Sequence, residues 1–155
     1  MLSRITDAFY EKANQYLANH PDFPDVPAIQ LYEGDMEPLQ VETSELPIAF
    51  YGIGELVRND TISKTVTMEG WSYTVLLSIV VARNETETLI MVSSGIIDLI
   101  MAFVRGNRVL DLIGSTEYAV HTTTLTKVEG MKHSVERQLL EFSIQIDFVK
   151  RRQNE

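Results

Sequence analysis

The stretch Asn84 to Gly106, NETETLIMVSSGIIDLIMAFVRG, decides the fold, because it reads as one long buried helix around which the other elements are arranged. At about 100° per residue, Leu89, Ile90, Val92, Ile96, Ile97, Leu99, Ile100, Phe103 and Val104 fill an arc of roughly 200°. An arc that wide exceeds what a helix resting on one surface buries. Asn84, with Glu87 three residues later, has the chemistry of an N-cap; Arg105 complements the helix dipole and Gly106 suits the C′ position. The narrow remaining face carries Met91, Ser94, Gly95, Asp98, Ala102 and Arg105, mostly small or polar, which fits water or the close approach of another backbone. A sheet is expected on one side. The apolar run falls short of the roughly 20 residues of a membrane span, and Ser93, Ser94, Gly95 and Asp98 interrupt it, so no membrane partner is expected.

Immediately upstream, Trp71 to Ala82 is apolar on nearly both faces, with Trp71, Tyr73, Val75, Leu77, Ile79 and Val81 on one and Leu76 and Val80 on the other. Such a strand is buried from both sides and belongs at the centre of the sheet. Thr61 to Glu69 alternates, and Glu69-Gly70 offers a turn, so these two segments are expected to form a hairpin. Leu46 to Val57, LPIAFYGIGELV, starts with Pro47 and is interrupted by Gly52 and Gly54, which suits a bent edge strand. Its Gly-Ile-Gly lacks the third glycine and the following helix of a dinucleotide fingerprint.

At the start of the chain, Ile5, Phe9, Ala13, Tyr16 and Leu17 recur at helical spacing, so Ser3 to Asn19 is expected to be an amphipathic surface helix. It must stop by His20, since Pro21, Pro24 and Pro27 remove donors and favour extended geometry in the residues before them. A short strand is expected at Ala28 to Tyr32. From Glu33 to Glu45 the chain carries Glu33, Asp35, Glu37, Glu42 and Glu45 without one basic residue. This reads as an acidic mobile loop, either a solvated connection or a segment that orders on a partner.

Downstream of the helix, Asn107 to Ser115 is irregular and Thr116 to Val128 is a Thr-rich strand, with a turn expected at Glu129-Gly130-Met131-Lys132. The last strand has the clearest pattern: Leu140, Phe142, Ile144, Ile146 and Phe148 alternate with Glu141, Ser143, Gln145 and Asp147. Lys150, Arg151 and Arg152 form a basic tail. The expected fold is α+β, an antiparallel or mixed sheet of two hairpins packed against one long central helix, plus the N-terminal amphipathic helix, in a single domain spanning 1–155.

A chain of 155 residues can bury roughly two thirds of its unfolded surface without staples, and with no cysteine it forms no disulfide. Thirteen Lys plus Arg against 22 Asp plus Glu give a net charge of −9, which opposes general affinity for nucleic acid. Met1 to Leu17 is amphipathic and lacks the charged and apolar regions of a secretion signal, so a cytoplasmic origin is expected. His20, His121 and His133 stand apart, with no pair at i, i+4, and no metal site is expected. There is no nucleophile elbow, no cysteine nucleophile and no Walker loop, so neither a catalytic residue nor a cofactor is expected. Asp98 interrupts an apolar helix, but its place beside Ser94 and Arg105 points it at solvent or a neighbouring subunit.

The order of an N-terminal helix, a Pro-broken link, a hairpin, one long central helix and a second hairpin resembles the tail terminator proteins of long-tailed bacteriophages. The stretches WSYTVLLSIVVARNETETLIMVSSGIIDLIMAFV and RQLLEFSIQIDFVKR carry it most. The resemblance spans almost the whole chain and rests on element order and texture. It implies a virion protein that catalyses nothing: a ring, typically of six subunits, which caps the tail tube, stops its polymerisation and joins it to the head. The implied partners are further copies of the chain, the tail tube protein and a head-completion or connector protein, with DNA passing through the lumen unbound.

The acidic composition suits such a channel. A ring needs unlike patches on the two sides of each subunit, and the acidic Glu33 to Glu45 loop meeting Lys150, Arg151 and Arg152 of a neighbour is one pairing. Another neck or tail-tube component would share these features. The reading from a different class is a monomeric or dimeric α+β domain that binds a small ligand between helix and sheet, or an enzyme with a carboxylate mechanism.

Overall fold

The computed structural model describes residues 3–33, 47–62, 68–108, 118–132 and 136–151. The fold is mixed α+β, with two helices and a five-stranded sheet. In chain order the elements are α1 (Ser3–Ala18), β1 (Gln30–Glu33), β2 (Ile48–Arg58), β3 (Met68–Ala82), α2 (Leu89–Gly106), β4 (Tyr118–Lys132) and β5 (Arg137–Arg151). Across the sheet the order is β1-β2-β3-β5-β4. β1 runs parallel to β2 and every other neighbouring pair is antiparallel.

β3 is the central strand, as its two apolar faces require. It pairs with β5 rung for rung from Met68 opposite Arg151 to Ala82 opposite Arg137, without a break. On one face Tyr73, Val75, Leu77 and Ile79 stand beside Ile146, Ile144, Phe142 and Leu140 of β5, all buried. Both helices lie on this face. α1 contributes Ile5, Phe9, Ala13 and Leu17, each one turn after the last, and α2 contributes Ile96, Leu99, Ile100, Phe103 and Val104. Each fully buried aliphatic or aromatic side chain contributes about 1.5–3 kcal/mol, so this layer dominates the stability. Aromatic rings tie the helices together: Phe9 meets Phe103 edge-on at 5.7 Å and Tyr16 lies 5.0 Å from Phe103.

The structure revises several expectations. Glu69-Gly70 is not a turn; it lies inside β3, and β2 is the antiparallel neighbour that precedes it. Of the strand expected at Thr61 to Glu69, Thr61 and Ile62 lie in a turn and residues 63–67 fall outside the described residues. Glu129-Gly130-Met131-Lys132 likewise belongs to β4, whose ladder with β5 runs on to Lys132 opposite Gln138. β2 is an edge strand only in its second half, because β1 covers Ile48–Tyr51. The expected bend is present as an irregularity between Ile53 and Leu56, where Gly54 and Glu55 interrupt the register.

The central helix starts later than its pattern suggested. Thr88 is the N-cap, its side-chain oxygen accepting from the Met91 amide, while Asn84 accepts from the Thr86 and Glu87 amides in a separate turn before the helix. Gly106 is the last helical residue and Asn107 caps it. The buried arc is narrower than expected: Ile90 is 78% exposed, while Leu89 and Val92 in the same turn pack against the core. By length and composition α2 passes for a membrane-crossing helix; here its apolar stripe is packed against α1 and the sheet.

Candidate functional site

The loop between α1 and β1 builds a hollow against the start of α2. Three prolines prevent it from being helical, and it folds as successive tight turns: the Phe23 amide donates to the His20 carbonyl and the Val26 amide to the Phe23 carbonyl. Further along, the Ile29 amide donates to the Leu17 carbonyl and returns the chain to the core. Between this loop, the Arg83–Asn84 link and α2 lies a cavity of about 570 Å³. Val26, Val92 and Ile96 supply apolar wall, and Asp22, Asp25, Glu87 and Arg83 supply charge. Its size falls within the range of small-molecule sites.

The end of α1 is held from two directions. Tyr16 donates its hydroxyl to the Leu99 carbonyl of α2 at 3.0 Å, and burial, together with the Asp22 carboxylate, raises its pKa. His20 is buried, with Nδ1 3.0 Å from the Tyr16 carbonyl oxygen and Nε2 2.8 Å from that of Val26.

The second candidate is a surface. Beyond Tyr51, β2 pairs with β3 alone and has no strand on its outer edge among the described residues, and Ile53 (63% exposed), Leu56 and Val57 are open to solvent. The sheet face opposite the helices is also bare of any described helix. A polar chain runs across it, in which Asn59 donates to Ser72 Oγ at 2.8 Å, Ser72 donates to Asp147 Oδ1 at 2.6 Å, and Gln145 donates to the same oxygen at 2.8 Å. Toward the β1 side the same face is apolar, with Ile48, Phe50 and Val80 buried and Leu139 packed against them.

Of the residues singled out from the sequence, Glu33 ends β1 and is exposed, and Asp98 is exposed on the outer side of α2. Lys150 stands opposite Glu69 in the β3–β5 ladder, and Arg151 is exposed opposite Met68. Asp35, Glu37, Glu42, Glu45 and Arg152 lie outside the described residues. Within one chain β2 and β3 separate β1 from β5, so Glu33 and the basic end of β5 are not brought together. Sequence reasoning missed the cavity, whose walls come from three separate stretches, whereas the open edge of β2 matches the edge strand expected there. Among the described residues no group of three or more His, Cys, Asp or Glu side chains is placed to hold a metal ion. No protein-family model matches this chain, and no curated protein does.

Proposed function

We propose that the chain is a structural subunit of a long-tailed bacteriophage particle: a tail terminator whose copies close into a ring, six by the resemblance, on the end of the tail tube. In this reading the ring stops tube polymerisation, joins tail to head and lets DNA through an acidic lumen. The antiparallel pairs β2–β3 and β4–β5 act as the two hairpins over the central helix. The observation that carries the proposal is the exposed apolar group Ile53, Leu56 and Val57 on a stretch of strand with no described neighbour on its outer edge. Covering this group with another copy removes it from water. Ile90 and Met91 on the first turn of α2 form a second, unlike exposed apolar group, and a ring interface uses unlike patches.

The test is the mass of the purified protein across concentration and salt, with electron micrographs of any large species and of mixtures with tail tubes. A closed ring, or a monomer converted to rings on tube ends, is the expected result. A strict monomer or dimer that ignores tubes overturns the proposal. The cavity of about 570 Å³ favours a second reading, a domain that binds a small molecule between loop and helix. A library screen in which one compound raises the melting temperature, in a protein that never assembles, would select that reading instead.

A further inference from the structure

His20 sits where two backbone carbonyls converge on one imidazole, and both ring nitrogens are within hydrogen-bond distance of them. A carbonyl oxygen only accepts, and a neutral imidazole carries one N–H. Only the ring with protons on both nitrogens can donate to Tyr16 and Val26 at once. With one proton gone, one of the two contacts sets a nitrogen lone pair against a carbonyl lone pair at a side chain only 7% exposed. The Tyr16 carbonyl belongs to the last turn of α1, where the helix dipole is negative, and it also accepts from the Asn19 amide at 3.2 Å.

Asp22 and Asp25 lie on the same loop as His20, and Glu87 and Arg83 stand across the cavity that this loop walls. From α1 the Tyr16 ring lies 6.1 Å from that of His20, and its raised pKa keeps its hydroxyl neutral.

We propose that His20 is a proton-operated latch: the protonated ring ties the Val26 carbonyl to the end of α1 and so holds the loop wall of the cavity closed, and loss of the proton releases it. This goes beyond the assembly reading and stands whether or not the chain forms rings. The loop is held while the ring carries both protons and loosened once one of them is lost.

The decisive measurement is made on the unaltered protein. Long-range proton–nitrogen spectra of the histidine rings report the protonation of each nitrogen, and hydrogen exchange gives the protection of the Phe23 and Val26 amides, corrected for intrinsic rates, from about pH 5 to pH 8. The expected result is a doubly protonated His20 at low pH, with protection of both amides falling on the order of tenfold as its proton is lost, the equivalent of one hydrogen bond to a charged group. In His20→Asn the protection should be low and independent of pH. A ring that stays in one neutral tautomer throughout overturns the proposal. So does a ring that loses its proton while both amides keep their protection, and neither outcome bears on assembly.

Discussion

The two halves of β2 are one strand under two regimes. Ile48, Ala49, Phe50 and Tyr51 are all buried, whereas every residue from Ile53 to Arg58 is exposed. The division falls where β1 ends, at Glu33 opposite Tyr51. Residue type does not explain it, since Ile48 is 2% exposed and Ile53 is 63% exposed. What differs is the neighbour on the outer side. The first half is flanked by β1 and β3, and Phe9 stacks on Tyr51 at 5.8 Å; the second half has β3 alone. Burial along a strand is therefore set by how far its partners reach.

The largest effect that would sharpen this contrast is Ile48→Ala, expected to cost about 2–5 kcal/mol in chemical denaturation, because a buried aliphatic is lost from a closed site. A cost near zero would show the two halves to be equivalent. Next is Gly54→Ala at the irregularity between the halves. A Cβ there would meet the Thr74 carbonyl oxygen at 2.9 Å, so the ladder must shift and about 1–3 kcal/mol is expected to be lost. Gly52→Ala, with nothing within 4 Å of the added carbon, should be tolerated and serves as the control.

The third test is alkaline. Burial first, then the neighbouring Tyr73 hydroxyl and the Asp7 and Glu33 carboxylates, push the Tyr51 pKa far above that of a free tyrosine. The raised value means that the folded state keeps its proton while the unfolded chain releases it. The stabilisation is thus complete below about pH 10 and is lost as pH rises beyond it, by up to about 1.4 kcal/mol per pH unit. Tyr51→Phe should flatten that slope. The smallest effect is expected from Ile53→Ala, within about 0.5 kcal/mol of the parent in the isolated chain. In the ring reading, Ile53→Lys should leave the fold intact and abolish assembly, as seen by mass in solution.

The sequence showed β5 most plainly. Its alternation is clean because one face meets the helices and the other meets none among the described residues, so each residue has one environment. It showed the centrality of β3 for a related reason, since a strand with neighbours on both sides and a helix layer above tolerates few polar side chains. It misled at Glu69-Gly70 and Glu129-Gly130, where turn-forming residues lie within 15-residue strands. Their local preference yields to ladders fixed at many other rungs. The breadth of the α2 stripe suggested burial for Ile90, but the packed arc is narrower and takes Leu89 and Val92 while leaving Ile90 open. The cavity was the least legible feature. Asp22, Arg83 and Glu87 meet only because the proline loop folds back on α2, and a lone histidine in such a loop gives no hint that its second nitrogen finds the Val26 carbonyl.

The position of β5 between β3 and β4 has a kinetic consequence. The central strand receives its main partner from a segment made after α2 and β4, since Met68 pairs with Arg151. While the chain is being synthesised, β3 can lean on β2, but its other edge and much of its apolar surface wait until residues 137–151 emerge. Closing so long a loop is slow relative to local pairing, and an unpaired central strand invites association between nascent chains. Loss of the last strand would accordingly be felt first as aggregation during synthesis, in a protein whose earlier segments are all intact.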